Sequence, residues 1–199
     1  LKSINDKQFE ADVLINIGLA YQELGDYASS LEYNLQSMQT FTNNKLTVPL
    51  SLFNNIGIVY QNLGEYTTSL EYFHESLKLS ESNDNQLDRA FALGNISLVY
   101  LQQKNHEAAL ANLFKSLEIF RNLGNRQAEA NAYLNIGKAY RDTGLYEKAI
   151  EYELEALALH EAISDLSGKS STLLLIGETY FSMGYNDKAR EYYVNGLRV

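Results

Sequence analysis

The chain of 199 residues is 45% hydrophobic and 21% charged, which is the composition of a folded protein and excludes a disordered one. Its net charge of −9 argues against sequence-independent binding to nucleic acid, because that binding needs a basic surface to neutralise phosphates. The absence of cysteine excludes disulfides, thiolate catalysis and cysteine–zinc sites, and it leaves the cellular compartment open. We also expect no membrane insertion, since no apolar run approaches the roughly 18 residues of a membrane span.

A pattern of small and aromatic residues returns every 39 or 40 residues. Its first column is small, and it consists of Gly18, Gly57, Ser97, Gly137 and Gly177. A tyrosine follows three residues later in every case, at Tyr21, Tyr60, Tyr100, Tyr140 and Tyr180. A second column, seven residues after the first, holds Gly25, Gly64, Lys104, Gly144 and Gly184. Self-similarity at such a period indicates a solenoid of stacked units.

Each period predicts two helices, because apolar residues recur at three- and four-residue steps on both sides of the second glycine column. A glycine between the two helices suits the left-handed end of the first one. In chain order, the predicted units span about 8–41, 47–81, 87–122, 127–162 and 168–199. The only proline, Pro49, falls at the start of a first helix, where its missing N–H does no harm.

These columns resemble the tetratricopeptide repeat (TPR) family, whose helix–turn–helix unit has large apolar, small and aromatic residues at fixed positions. The fourth unit carries them at Tyr133, Ile136, Gly137, Tyr140, Ala149, Tyr152 and Ala156. The resemblance implies an all-α, right-handed superhelix (a solenoid) of five helix pairs. The period of about 40 residues exceeds the usual ~34, and the closing proline is missing. This long period resembles the subgroup found in scaffold proteins and in regulatory regions of bacterial signalling proteins.

Both ends of the sequence predict a fragment of a longer protein. The stretch NDKQFEA at 5–11 resembles the inter-unit stretch GNRQAEA at 124–130. Residues 1–7 are therefore interpreted as the remnant of a preceding unit's second helix. The chain stops at Val199, at the close of a second helix, without the polar capping helix that solenoid ends normally need.

No catalytic or metal site is predicted, and we expect neither an enzyme nor a bound cofactor. The stretch 168–170, Gly-Lys-Ser, resembles the tail of a phosphate-binding loop, but that motif needs a glycine where this chain has Ile163. The carboxylates of 151–161 are interpreted as a solvated helix face. None of the three histidines has metal-ligand spacing: His74, His106 and His160.

An asparagine stands two residues before the small column in four of the five units, at Asn16, Asn55, Asn95 and Asn135. A helix turns by about 100° per residue, so this side chain points about 160° away from the small residue, while the tyrosine is only about 60° away from it. The asparagines therefore face away from the packed side. In a repeat of this kind, that side lines the concave groove. An amide both donates and accepts hydrogen bonds, so a row of amides is suited to hold an extended peptide by its backbone.

Further candidates lie beside the asparagines on the first helices. We expect apolar pockets from Leu19, Ile58 and Leu98 and an added polar contact from Asn131. Lys138 and Arg141 are two cations that suit an acidic group. In long-period relatives the asparagine position contacts ligand backbone, and the resemblance carries this role to the four asparagines. The competing interpretation is that these asparagines hydrogen-bond across neighbouring first helices and fix their stacking.

The sequence thus predicts non-catalytic recognition of a peptide or protein segment, in the regulatory or sensory region of a larger bacterial signalling protein. A free-standing scaffold or assembly factor is the alternative within binding. The alternative outside binding is a structural array that forms a homodimer through its end units.

Overall fold

The computed structural model describes residues 2–199, with side-chain surroundings from residue 6 onward. This part of the chain forms ten helices and no strand, which confirms the all-α fold class. The helices follow one another as α1 (Lys2–Glu23), α2 (Tyr27–Asn43), α3 (Leu50–Asn62), α4 (Tyr66–Ser82), α5 (Gln86–Gln102), α6 (His106–Leu123), α7 (Arg126–Asp142), α8 (Tyr146–Ala162), α9 (Leu166–Ser182) and α10 (Asn186–Leu197).

Apart from its five repeat units, the chain divides into two larger compact units, Leu1–Val99 and Tyr100–Val199. In the first unit α1 packs against α2, α3 against α4, and α3 also against α1 and α2. In the second unit the helices from α6 to α10 each pack against the next one along the chain. Within each of these two sets of helices, neighbours in sequence are neighbours in space, as expected for helix–turn–helix repeats.

The first helix is continuous over Lys2–Glu23 and has no break at 5–11. The similar stretch at 124–130 instead contains the link between α6 and α7, where Gly124 ends α6 in the left-handed conformation with φ 66°. At the corresponding position the first stretch has Asn5, and the helix continues through it. That residues 1–7 derive from a preceding unit stays a prediction, and Leu1 lies outside the described residues.

A residue in the left-handed conformation follows each helix from α1 to α9, with φ between 51° and 84°. The positions within pairs are Gly25, Gly64, Lys104, Gly144 and Gly184, and those between pairs are Lys45, Asp84, Gly124 and Ser164. A Cβ built at Gly144 meets nothing within 4 Å. Glycine therefore serves here for its backbone conformation and not for space, as the sequence predicted for the turn within each pair.

Lys104 is expected to cost stability, because it holds φ 59° where the other four units have glycine. Replacing Lys104 by Gly should raise the free energy of unfolding by about 0.5–1 kcal/mol, after allowance for the larger entropy of the unfolded chain. The reciprocal change, Gly144→Lys, should lower it by about as much. Urea denaturation of both variants measures this, and a Lys104→Gly protein no more stable than the parent would contradict it.

The small column marks the closest approach between the two helices of a pair. A Cβ built on Gly57 would lie 2.6 Å from the ring of Phe73, and one built on Gly18 would lie 2.8 Å from the amide of Asn34. At Gly177 it would lie 2.7 Å from Tyr193. The glycines therefore face the partner helix, as helix geometry predicted.

The two main tyrosine columns meet between paired helices. The ring centroids lie 5.4–5.6 Å apart with interplanar angles of 7–20° in Tyr21–Tyr33, Tyr60–Tyr72, Tyr140–Tyr152 and Tyr180–Tyr192. In the third pair of helices Asn112 replaces the second ring, and its amide donates to the carbonyl oxygen of Ala108 at 2.8 Å. Stacked rings contribute about 0.5–1.5 kcal/mol beyond their burial. The tyrosines thus belong to the packing of each pair.

Candidate functional site

The asparagine column lies on the outer side of the first helices, opposite the packed side. Asn16 is exposed, and Asn55, Asn95 and Asn135 are half-buried. The isoleucines that follow the last three, and the small residues after those, are buried: Ile56, Gly57, Ile96, Ser97, Ile136 and Gly137. In the sequence N-I-G, the isoleucine and the glycine therefore belong to the core, and the asparagine amide points outward.

None of these four amides takes part in a side-chain hydrogen bond within the described part of the chain. Other asparagines do: Asn62 donates to the carbonyl oxygen of Ile58 at 2.9 Å, and buried Asn34 donates to that of Ser30 at 2.9 Å. The donors and acceptors of the column are therefore available to a partner molecule. The competing interpretation, in which the asparagines hydrogen-bond across neighbouring first helices, finds no such side-chain bond among the described residues.

The other candidate residues are on first helices as well. Leu19, Ile58 and Leu98, on α1, α3 and α5, are half-buried beside the asparagines, where they offer partial apolar surface. Asn131 and Lys138 are exposed on α7. Their role in binding stays a prediction.

Arg141 differs from the other candidates, because carboxylates of the chain itself already surround it. Its Nη1 lies 3.5 Å from Oε1 of Glu153, 3.5 Å from Oε2 of Glu178 and 3.4 Å from the carbonyl oxygen of Leu175. Only 17% of its side chain is exposed. For Arg141 to bind an acidic ligand, the ligand would have to take the place of Glu178.

The interpretation of the carboxylates of 151–161 as a solvated face is wrong at Glu153, which is buried, as is His160 on the same helix. Glu153 and His160 are each only 1% exposed. The residues at the same positions in the other repeats indicate this burial, which the charge pattern did not. Glu153 aligns with Asn34, Phe73, Leu113 and Tyr193, and His160 aligns with Phe41, Ser80 and Phe120. Burial raises the pKa of Glu153 to about 7, while hydrogen bonding from Thr179 and the charge of Arg141 act in the opposite direction.

The stretch that resembles a phosphate-binding loop packs beside the buried His160, which accounts for the glycine at position 168. Nδ1 of His160 lies 3.0 Å from Oδ2 of Asp165, a contact without hydrogen-bond alignment. Asp165 caps α9 by accepting the backbone N–H of Gly168 at 2.9 Å, which lowers the pKa of its carboxyl. A Cβ on Gly168 would lie 2.2 Å from Nδ1 of His160 and 2.3 Å from Oδ2 of Asp165. Gly168 therefore leaves room for this contact.

Gly168→Ala is expected to lower the free energy of unfolding by about 1–3 kcal/mol, because the added methyl group overpacks a buried imidazole. Ser167→Ala, at the exposed neighbouring position, is the matched control and should change it by less than about 0.5 kcal/mol. Thermal unfolding of the two variants compares them. Equal stability would show that His160 moves aside without cost.

The described residues show neither a metal site nor a membrane span. No group of three or more His, Asp or Glu side chains among them is placed to hold a metal ion. No helix in the described range is long and apolar enough to cross a membrane.

Solved structures share this fold at low sequence identity. Aspartyl phosphate phosphatase F from Bacillus subtilis superposes with a TM-score of 0.89 at 18% identity, covering 98% of this chain and 52% of the other. The Rap conjugation gene regulator of plasmid pLS20, solved in complex with the Phr* peptide, gives 0.78 at 17% identity, covering 93% and 52%. BtubC from P. vanneervenii gives 0.77 at 20% identity, covering 99% and 88%. The chain thus spans about half the length of the first two.

The sequence itself carries the family assignment. No curated protein sequence matches it at a significant level. One family model, described as tetratricopeptide repeat, matches over 49–122, 90–162 and 128–199, and a second model of the same description matches over 11–42. These matches cover far more than half of the chain, so the protein belongs to the tetratricopeptide repeat family.

Proposed function

We propose that the chain is a non-catalytic interaction module that binds an extended peptide or protein segment along the asparagine-bearing face of α1, α3 and α5, which carry Asn16, Asn55 and Asn95. The observation that carries this proposal is that the amides of Asn16, Asn55 and Asn95 point outward and have no hydrogen bond in the described chain. Tetratricopeptide repeats commonly serve in protein–protein interaction, and a regulator with this fold was solved with a peptide bound.

The chemistry of the face suits a backbone ligand. An extended segment presents N–H and C=O groups in turn, and an asparagine amide has both an acceptor oxygen and donor hydrogens to match them. Each such hydrogen bond contributes about 0.5–1.5 kcal/mol net. Because the amides contact the backbone, they tolerate different ligand sequences, and half-buried Ile58 and Leu98 select apolar side chains.

We infer further that the chain is the regulatory or sensory part of a larger bacterial signalling protein. Its period and its likeness to half of a Rap regulator support this context. A free-standing scaffold is the alternative. Sequencing the gene around the segment decides between them, since an adjoining output domain such as a kinase or cyclase supports the sensor, and the lack of any output domain supports the scaffold.

A capture experiment tests the binding face. The wild-type chain, the double variant Asn55→Ala/Asn95→Ala and the control Asn43→Ala serve as baits, and the retained proteins are identified by mass spectrometry. Asn43 is exposed at the end of α2, away from the first helices. We expect a segment that the wild type and the control retain and the double variant loses. Equal retention by all three would reject the proposed face.

A dimer is the second candidate, because large apolar side chains are exposed on the last helix pair. Phe181 is 63% exposed and Leu197 is 80% exposed. Light scattering at two concentrations should then give a dimer mass that Leu197→Glu reduces to that of a monomer. A monomer mass for the wild type at both concentrations rejects this candidate.

A further inference from the structure

Arg141, Glu153 and Thr179 lie together in the second compact unit, and each differs from every other residue at its repeat position. Arg141 on α7 aligns with Gln22, Gln61, Leu101 and Phe181. Glu153 on α8 aligns with Asn34, Phe73, Leu113 and Tyr193, and Thr179 on α9 aligns with Ala20, Val59, Val99 and Ala139. No other pair of successive repeats combines a base, an acid and a hydroxyl at these positions. The three substitutions therefore belong together.

The single hydroxyl hydrogen of Thr179 faces more acceptors than it can serve with two-centre hydrogen bonds, and Nη1 of Arg141 lies 3.5 Å from its Oγ1. The same Oγ1 lies 3.0 Å and 2.9 Å from the two carboxyl oxygens of Glu153 and 3.1 Å from the carbonyl oxygen of Leu175. Glu153 and Thr179 are both buried, so an acceptor left without a hydrogen there costs free energy. A hydroxyl has one hydrogen to donate and can accept another. A proton on Glu153 completes the set, because Glu153 then donates to Thr179 and Thr179 donates to Leu175.

Loss of that proton rearranges the same groups. The hydroxyl of Thr179 then donates to the Glu153 carboxylate, and the new buried charge needs a counter-ion. Arg141 can supply it, since its Nη1 lies 3.5 Å from both Glu153 and Glu178. Arg141 of α7 and Glu178 of α9 are the charged groups that act on Glu153, and the nearest carboxylates on its own helix, Glu151 and Glu155, are exposed.

We propose that Glu153, Thr179 and Arg141 form a proton-operated latch between α8 and α9. With a proton on Glu153, the relay from Glu153 through Thr179 to the carbonyl oxygen of Leu175 is closed. When the proton passes to solvent, the relay opens and Arg141 shifts from Glu178 towards Glu153. Glu178 is 57% exposed and lies three residues after Leu175, the counterpart of the asparagine column. The latch thereby changes the charge of the proposed binding face, although the latch itself does not rest on that function.

The latch acts near neutral pH, because burial raises the pKa of Glu153 from 4.5 to about 7. Between these two values the folded chain keeps a proton that the unfolded chain has lost. Stability from this group is therefore complete below about pH 4.5 and declines as the pH rises through about 7.

Carbon-13 NMR of the glutamate carboxyl groups tests the latch in the wild-type chain. We expect one resonance with a midpoint near pH 7 that is absent from Glu153→Gln and present in the control Glu155→Gln. Thr179→Val should move that midpoint upwards, since the lost hydroxyl favours the ionised form. The unfolding temperature of the wild type should fall more steeply from about pH 5 to about pH 8 than that of Glu153→Gln.

The wild-type titration alone can overturn the proposal, even if Glu153→Gln fails to fold. If every glutamate carboxyl titrates below about pH 5.5, Glu153 is ionised at neutral pH and no proton is available to close the relay. A midpoint near 7 that persists in Glu153→Gln would assign the proton to another group and reject the latch as well. A midpoint unchanged by Thr179→Val would remove Thr179 from it.

Discussion

Replacing Phe73 by Ala is expected to lower the free energy of unfolding by about 3–5 kcal/mol. The ring is fully buried in α4 and lies directly against Gly57 of α3, where a built Cβ would come within 2.6 Å of it. The substitution therefore leaves a cavity at the tightest crossing of the pair. Urea denaturation measures the loss, and Phe181→Ala, at a position 63% exposed, is the control with a small expected effect.

A double-mutant cycle tests whether this loss comes from the contact with Gly57. Gly57→Ala alone should cost about 1–3 kcal/mol, because its methyl group overlaps the ring. In the Phe73→Ala background the same methyl group enters the cavity, so the cost of Gly57→Ala should fall below about 0.5 kcal/mol. Additive costs would show that the ring and the glycine do not set each other's position.

Removing the amides of Asn55 and Asn95 together is expected to weaken binding of the captured segment by about 30- to 1000-fold. This corresponds to about 2–4 kcal/mol, because each lost amide leaves backbone groups of the ligand unpaired. The free energy of unfolding should change by less than about 0.5 kcal/mol, since neither side chain has a hydrogen bond in the described chain.

Titration calorimetry and urea denaturation of the same samples separate the two interpretations of the column, with Asn43→Ala as the control. Unchanged affinity together with a stability loss above about 1.5 kcal/mol would make the asparagines structural. A loss of affinity without a loss of stability is the result expected from a binding face.

The helix pairs could be predicted from the sequence because each repeat column constrains packing and turn geometry at the same time. Glycine at Gly144 indicates a left-handed turn, and Pro49 indicates a helix start; the structure has both. The left-handed residues between pairs were missed at Lys45, Asp84 and Ser164. Lysine, aspartate and serine do not indicate a left-handed conformation in a sequence. The path of the chain into the next helix requires it of them.

The candidate site could be predicted only in part. Helix geometry places Asn55 and Asn95 on the outer side, because that direction depends on one helix alone. The surroundings of Arg141 depend on Glu178, 37 residues further on in another helix, and no local pattern specifies that distance. The burial of Glu153 was visible in its column but not in the charge pattern of α8.

The most direct test of the binding face is an NMR titration that follows the side-chain amides of the asparagines while the captured segment is added. Binding along the first helices predicts shifts for Asn55 and Asn95 and unchanged positions for Asn43 of α2 and Asn122 of α6, which belong to second helices. Shifts at Asn43 and Asn122 with none at Asn55 and Asn95 would contradict it.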